Sequence, residues 1–240
     1  MTPAPDNAAA LSLAAAERAF AAQSMRSDMV SAFVANFADD GVLVTNGWTR
    51  AKTALAGKPP PPVDLDWAPA HVEVAASGEL GLSTGPSIRK SRTHPEAAPS
   101  YGHFVSVWRR SPEGRWQVEV DLGISHPQAF ALPGEAAVAP TAALADPAET
   151  LDQAEARFEQ ICAREGARAA FEASALPRFM LYRPAHAPVQ GKAAALASPL
   201  LDTTRIAWRA EKVVASRPLS REMLRISPTP DRPSSVQTRT

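Results

Sequence analysis

The same stretch of sequence opens twice in this chain, and that repeat limits its architecture more than any other feature. Glu17, Arg18 and Phe20 lie in one helical stretch, and Glu155, Arg157 and Phe158 lie in another. Phe33 follows Glu17 by 16 residues, as Phe171 follows Glu155. Val42-Leu43 returns as Met180-Leu181 at a 138-residue offset. Ala51-Lys52 then matches Gly191-Lys192, Trp67 matches Trp208, and Val74-Ala75 with Ser77 matches Val214-Ala215-Ser216. A period this long predicts a duplicated domain; solenoid repeats are only roughly 20–50 residues long. The match stops after Ser216. The expected layout is a complete domain at 8–126, an Ala/Pro-rich linker at 127–147, an incomplete second copy at 148–216, and a tail at 217–240 that is disordered or read in a shifted frame.

Composition removes several classes of function. The chain carries 25 basic and 25 acidic residues, so its formal net charge is zero. Nucleic acids and anionic membranes select a basic excess, so neither is an expected partner. Cys162 is the one cysteine, which excludes an internal disulfide and a cysteine-based metal cage. It reads as a small buried hydrophobe in a helix. The histidines His71, His94, His103, His126 and His186 show no paired metal spacing. Nucleophile elbows, phosphate loops and dinucleotide fingerprints do not occur, so no metal and no cofactor are expected. No apolar run is long enough to span a bilayer. Residues 1–7 lack the basic start of a signal peptide, and the chain reads as cytoplasmic.

The apolar pattern gives the elements in order. Residues 8–26 carry Leu11, Leu13, Phe20 and Met25 at helical spacing, with Asn7 as cap. Residues 28–37 carry a second apolar stripe, with Asp28 as its cap. A short strand at 42–44 and a helical turn at 52–56 follow, and then the stiff Pro59–Pro62 connector. Long strands are expected at 66–76, 80–88, 101–110 and 116–124. In the last, Trp116, Val118, Val120 and Leu122 share one face, and Gln117, Glu119 and Asp121 the other. Helices grouped ahead of an antiparallel meander predict an α+β layer fold.

This order of elements, together with local motifs, resembles a known superfamily. The residues concerned are Phe33 with Phe37-Ala38-Asp39-Asp40, Trp67-Ala68-Pro69, and Val74 through Gly81. Thr84-Gly85-Pro86, the run Gly102 through Arg110, Pro112 through Val118, and Asp121-Leu122-Gly123 complete the set. They resemble the SnoaL-like, ketosteroid-isomerase-like and nuclear-transport-factor-like proteins, in the branch of small domains without assigned function. The resemblance covers about residues 10–126. It implies a cone-shaped curved antiparallel sheet packed on N-terminal helices, with a partial second copy of the same fold behind it. It also implies a homodimer through the open sheet face; pairing of the two copies as an internal pseudo-dimer is the alternative that the repeat offers. Activity does not follow from it, because this superfold hosts many unrelated functions.

The tail has a second reading. With one choice of codons, Arg221 to Pro233 read two bases along gives Asp-Ile-Ala-Tyr-Thr-Gly-Pro, close to the pattern from Glu79 to Pro86. A shifted frame would explain why the repeat ends abruptly.

Four residues are candidates for a ligand pocket: Trp48, Trp67, Tyr101 and His103. Three are candidates for acid–base work: Tyr101, His103 and Asp121. His103 shares a strand face with Tyr101, Val105 and Val107, which a cone fold can turn toward its pocket. In an isomerase-type reading Asp121 removes a proton beside a carbonyl while Tyr101 holds the oxyanion. The blander reading makes His103 a half-exposed strand residue and Asp121 a solvated or dimer-face carboxylate. The first functional expectation is binding of a small apolar or carbonyl-containing molecule, without catalysis. An acid–base isomerase or cyclase and an assembly module are the alternatives.

Overall fold

The computed structural model describes residues 5–44, 47–139, 150–201, 214–215 and 223–224. The chain forms two compact units. One comprises Met1–Pro147, Tyr182–Pro188 and Ala215–Leu224; the other comprises Ala148–Leu181, Val189–Val214 and Arg225–Thr240.

The first unit opens with α1 (Pro5–Arg26) and α2 (Met29–Asn36). Between them Asp28 caps α2, accepting from the Ser31 backbone N–H at 2.8 Å and the Ser31 hydroxyl at 2.6 Å. Next come β1 (Phe37–Val44), β2 (Trp48–Arg50), α3 (Ala51–Leu55), β3 (Val63–Trp67) and β4 (His71–Val74). The long strands β5 (Leu80–Ser91), β6 (Ser100–Arg110) and β7 (Trp116–His126) follow, and β8 (Ala137–Val138) ends the run. These eight strands form one sheet in the order β2-β1-β7-β6-β5-β4-β8, with β3 also paired to β5. Helices packed on a large curved sheet make this the α+β fold that the sequence implies.

Four details differ from the expectations. First, α2 stops at Asn36, and Phe37 through Gly41 already belong to β1. Second, β1–β7 and β4–β8 are parallel pairings, so the sheet is mixed at those two ladders. Third, the strand expected at 66–76 is two strands broken at Ala68–Ala70. There the backbone presses so close to β5 that a Cβ on Gly85 would lie 2.0 Å from the Ala68 carbonyl oxygen. Only glycine fits such an approach. Fourth, the stretch expected to be a linker starts as part of the first unit. The Ala137 and Ala139 N–H groups donate to Ala70 and Val72 carbonyls at 2.8 and 3.0 Å, and Ala136 and Val138 pack on the core. The exposed edge of β4 supplied backbone partners that Ala/Pro composition does not reveal.

The core lies between the helices and one face of the sheet. It joins Leu13 and Phe20 of α1 and Ala32 and Phe33 of α2 to Trp67, Phe104, Trp108, Trp116 and Val118. Phe20 meets Phe33, Trp67 and Trp108 edge-on, with centroids 4.9, 4.9 and 6.0 Å apart. Such contacts add to plain apolar burial.

Further along the chain come α4 (Leu151–Glu165), α5 (Ala167–Ser174), β9 (Met180–Arg183), β10 (His186–Gln190) and α6 (Lys192–Ala197), with Tyr182–Pro188 counted in the first unit. Thr150 and Gln153 close a capping box at the start of α4. Phe158, Cys162, Ala167 and Ala170 form the helix-pair core of the second unit. Cys162 is buried there as a small hydrophobe. Trp208 and the tail from 225 onward lie outside the described residues. Within the tail, Met223–Leu224 pairs with Val214–Ala215. A strand edge left open takes the nearest extended segment.

Candidate functional site

An acidic residue in the core stripe of α1 marks the site. Leu13, Glu17 and Phe20 stand at i, i+4 and i+7 and so face the same way. Glu17 is therefore carried into the core, where it is fully buried. Its Oε1 accepts from the Trp67 indole N–H at 2.7 Å, and its Oε2 from Trp108 at 2.9 Å. The Ser83 hydroxyl also donates to Oε2. None of these donors is charged. Burial pushes the carboxyl up to about 7 against the pull of the Ser83 and Trp67 bonds, and the Asp121 carboxylate raises it further.

Asp121 lies on the same helix-facing side of the sheet. It stands opposite Ser106, whose hydroxyl donates to Oδ2 at 2.7 Å. Ser106 alternates with Phe104 and Trp108, both in the core cluster. Burial pushes Asp121 up to about 6, and the Ser106 bond opposes that. Its residue exposure is only 9%, so the solvated reading is overturned. The cause is a β-bulge. Trp108 pairs with Val118 while Val107 pairs with Val120, leaving Glu119 as an extra residue on β7. Simple alternation would keep Asp121 beside Gln117 and Glu119. The inserted residue flips everything after it and turns Asp121 inward. Glu119 is taken up by Arg109, 3.0 Å away.

The other sequence candidates go elsewhere. Trp67 reaches the site and donates to Glu17. Tyr101 and His103 lie on the opposite face of β6, because they alternate with Phe104 and Ser106. Tyr101 is five residues from Ser106, about 17 Å along a strand, and cannot hold an oxyanion formed beside Asp121. His103 is buried, not half-exposed, and its Nδ1 lies 2.7 Å from His126 Nε2. The ring centroids are 5.0 Å apart, so the nitrogens meet head-on in a shared hydrogen bond. Phe130 packs edge-on against both rings. Burial first, and the His126 charge second, hold His103 down at about 4. Trp48 starts β2, and its buried indole N–H has no hydrogen-bond partner.

The site therefore combines two buried carboxyls, two serine hydroxyls and two indole N–H groups on one sheet face. Glu17 was readable in the sequence as an acid within an apolar stripe, although it served there only to mark the repeat. No group of three or more potential metal ligands occurs among the described residues. No helix among them is long and apolar enough to cross a membrane.

No family model matches the chain, and no curated protein matches it. It is similar to several solved structures over about half its length. A ketosteroid isomerase-like protein from Erwinia carotovora atroseptica SCRI1043 shares 20% identity over 50% of this chain and 96% of that one, with a TM-score of 0.38. An NTF2-like protein with a cystatin-like fold from Novosphingobium aromaticivorans shares 16% over 54% and 94%, with a TM-score of 0.40. An NTF2-like protein of unknown function from Shewanella oneidensis MR-1 shares 13% over 49% and 97%, with a TM-score of 0.36.

Proposed function

We propose that the first unit binds a small, mostly apolar molecule carrying a carbonyl or hydroxyl group, on the helix-facing side of its sheet. Ser106 and Asp121 are the polar contact. Asp121 carries this reading: it is a carboxyl on the inner face, pushed up to about 6 and held by one neutral hydroxyl. A polar group of this kind fixes orientation in a mostly apolar site. Glu17 has both oxygens engaged and ties α1 to the sheet behind it.

The test is a titration of the full chain with acetylnaphthalene, followed through tryptophan emission. Saturable quenching is expected. Asp121→Ala should weaken it roughly tenfold through the lost hydrogen bond, and His103→Gln should leave it unchanged. Absence of saturation, or equal binding in Asp121→Ala, refutes the reading.

The value near 6 also favours a second reading, acid–base isomerisation. Asp121 would take a proton from the carbon beside a carbonyl and return it to another carbon of the same molecule, so no co-reactant is needed. Deuterium uptake from heavy water at the ketone's α-carbon, followed by NMR and lost in Asp121→Asn, would support it. No uptake leaves binding alone.

We also read the chain as a tandem duplication. Phe20–Phe33 and Phe158–Phe171 are both edge-on ring pairs, at centroid distances of 4.9 and 5.1 Å and angles of 63° and 70°. Ala32 and Ala170, at the same offset, are both fully buried. A single buried cysteine suits a cytoplasmic setting.

A further inference from the structure

We infer that Tyr182–Pro188 is a clasp that occupies the non-helical face of the first unit's sheet, so the chain does not use that face to pair with a second copy. Three observations on that face support this. Thr84 alternates with Ser83, which bonds Glu17, and so points away from the helices. The Thr84 hydroxyl donates to the Phe104 carbonyl at 2.5 Å, and the Tyr182 hydroxyl lies 2.6 Å from the same Thr84 oxygen. Thr84 has one proton, already given to Phe104, so Tyr182 must donate. The Tyr182 phenol is itself buried, and burial pushes it up to about 12.

The second contact is made by the backbone. The Ala185 N–H donates to the Ser125 carbonyl at 2.7 Å. Ala185 is also the one non-glycine residue of positive φ among the described residues, at 66°. A side chain disfavours that conformation, so it persists only where surrounding contacts enforce it. Here the strained residue at the turn between β9 and β10 is the one whose N–H reaches Ser125.

The third observation is burial. Val105, Val107 and Val120 share the outward face, and all three are buried within this chain. Valines in that state offer no surface to a partner. Tyr182–Pro188 belongs to the same compact unit as these strands. The resemblance implied a homodimer through the open sheet face; the clasp makes that face self-occupied.

The experiment uses the full chain with Cys162→Ala and with Val105→Cys as the one reporter thiol, labelled by a maleimide. With the clasp intact, labelling should be slow, and its rate should not change across a dilution series. Ala185→Pro removes the N–H and forbids positive φ, and should speed labelling roughly tenfold by opening the clasp locally. Ala185→Gly keeps the N–H, accepts the φ, and should stay slow. Far-UV circular dichroism and tryptophan emission check that the variants remain folded. If Ala185→Pro fails to fold, Tyr182→Phe replaces it; loss of the one hydroxyl should speed labelling measurably. Equal rates in the opened and intact forms overturn the inference. So does slow labelling that gives way on dilution, which would show a second copy covering the face. Fast labelling in Ala185→Gly would also count against it.

Discussion

Phe20 with Phe33 and Phe158 with Phe171 make the same edge-on pair from the same spacing, but the glutamates before them fare differently. Glu17 is fully buried, with Trp67, Ser83 and Trp108 donating to it. Glu155, at the matching position, is half-buried. The first helix pair lies on an eight-stranded sheet that brings three donors to one point. Among the described residues, only two short two-stranded pairings follow the second pair, β9 with β10 and Val214–Ala215 with Met223–Leu224. A helix can aim a carboxyl at a core, but strands must supply the donors that let it stay there. The junctions between the helices differ too. Asp28 caps α2 with its side chain, whereas Gly166 joins α4 to α5 through a backbone at φ 92.

The largest expected effect tests the shared ring pair. Phe20→Ala should cost about 3–5 kcal/mol, because the ring touches Phe33, Phe37, Trp67 and Trp108. Phe158→Ala should cost less, since the cluster around it is smaller. Urea unfolding followed by tryptophan emission in a Trp208→Phe background, so that only Trp48, Trp67, Trp108 and Trp116 of the first unit report, should shift for the first variant and barely for the second. Equal shifts would break the comparison.

Next in size is a pH effect carried by Glu17. Its folded value, about 7, lies above the ordinary glutamate value of 4.5, so the folded state holds the proton more tightly. The resulting stability is fully present below about 4.5, falls as pH rises, and is gone above about 7. At about 1.4 kcal/mol per unit, the loss is on the order of 3 kcal/mol. Asp121 acts in the same direction between 3.8 and about 6. His103, held at about 4 from 6.5, acts in the opposite direction and adds stability as pH rises between those values. Chemical denaturation of Glu17→Gln and the parent chain from pH 4 to pH 8 separates these effects. The parent should lose stability relative to the variant as pH rises toward 7. A constant difference across that range would remove Glu17 from the account. Glu155→Gln, at a half-buried position, should change stability at pH 7 by less than about 0.5 kcal/mol.

The smallest effect concerns the two junctions. Asp28→Ala should cost about 1 kcal/mol through the lost cap. Gly166→Ala should cost a similar amount for a different reason, since an added Cβ meets open space but the backbone sits at positive φ. Gly166→Asn should recover none of that loss in thermal unfolding, because φ 92 with ψ 168 is a glycine region outside the left-handed helical well that Asn tolerates, whereas Asp28→Asn should keep the cap.

Local periodicity made much of the fold legible. The apolar stripes gave both helices of the first pair, alternation gave the long strands β5, β6 and β7, and Asp28 was readable as a cap. The two-layer α+β arrangement followed from their order. The candidate site was legible only in part. Trp67 faces the core and donates to Glu17, whereas Tyr101 and His103, grouped with it as pocket candidates, lie on the other sheet face. Asp121 was assigned to the wrong face because one bulged residue, Glu119, reverses the alternation beyond it, and a bulge is defined only against its partner strand. Glu17 stood in plain view on the stripe of α1. Its burial depended on Trp67, Ser83 and Trp108, which lie 50, 66 and 91 residues away in the chain. The sequence alone determined the helices of the first pair, the long strands β5, β6 and β7, and which stripe each helix buries, because those follow from spacing between near neighbours. The tertiary structure decided which face Asp121 joins, whether Glu17 finds donors, that β8 closes an edge, and that Tyr182 reaches Thr84. Each of these depends on hydrogen-bond partners that become neighbours only when distant strands are brought into register.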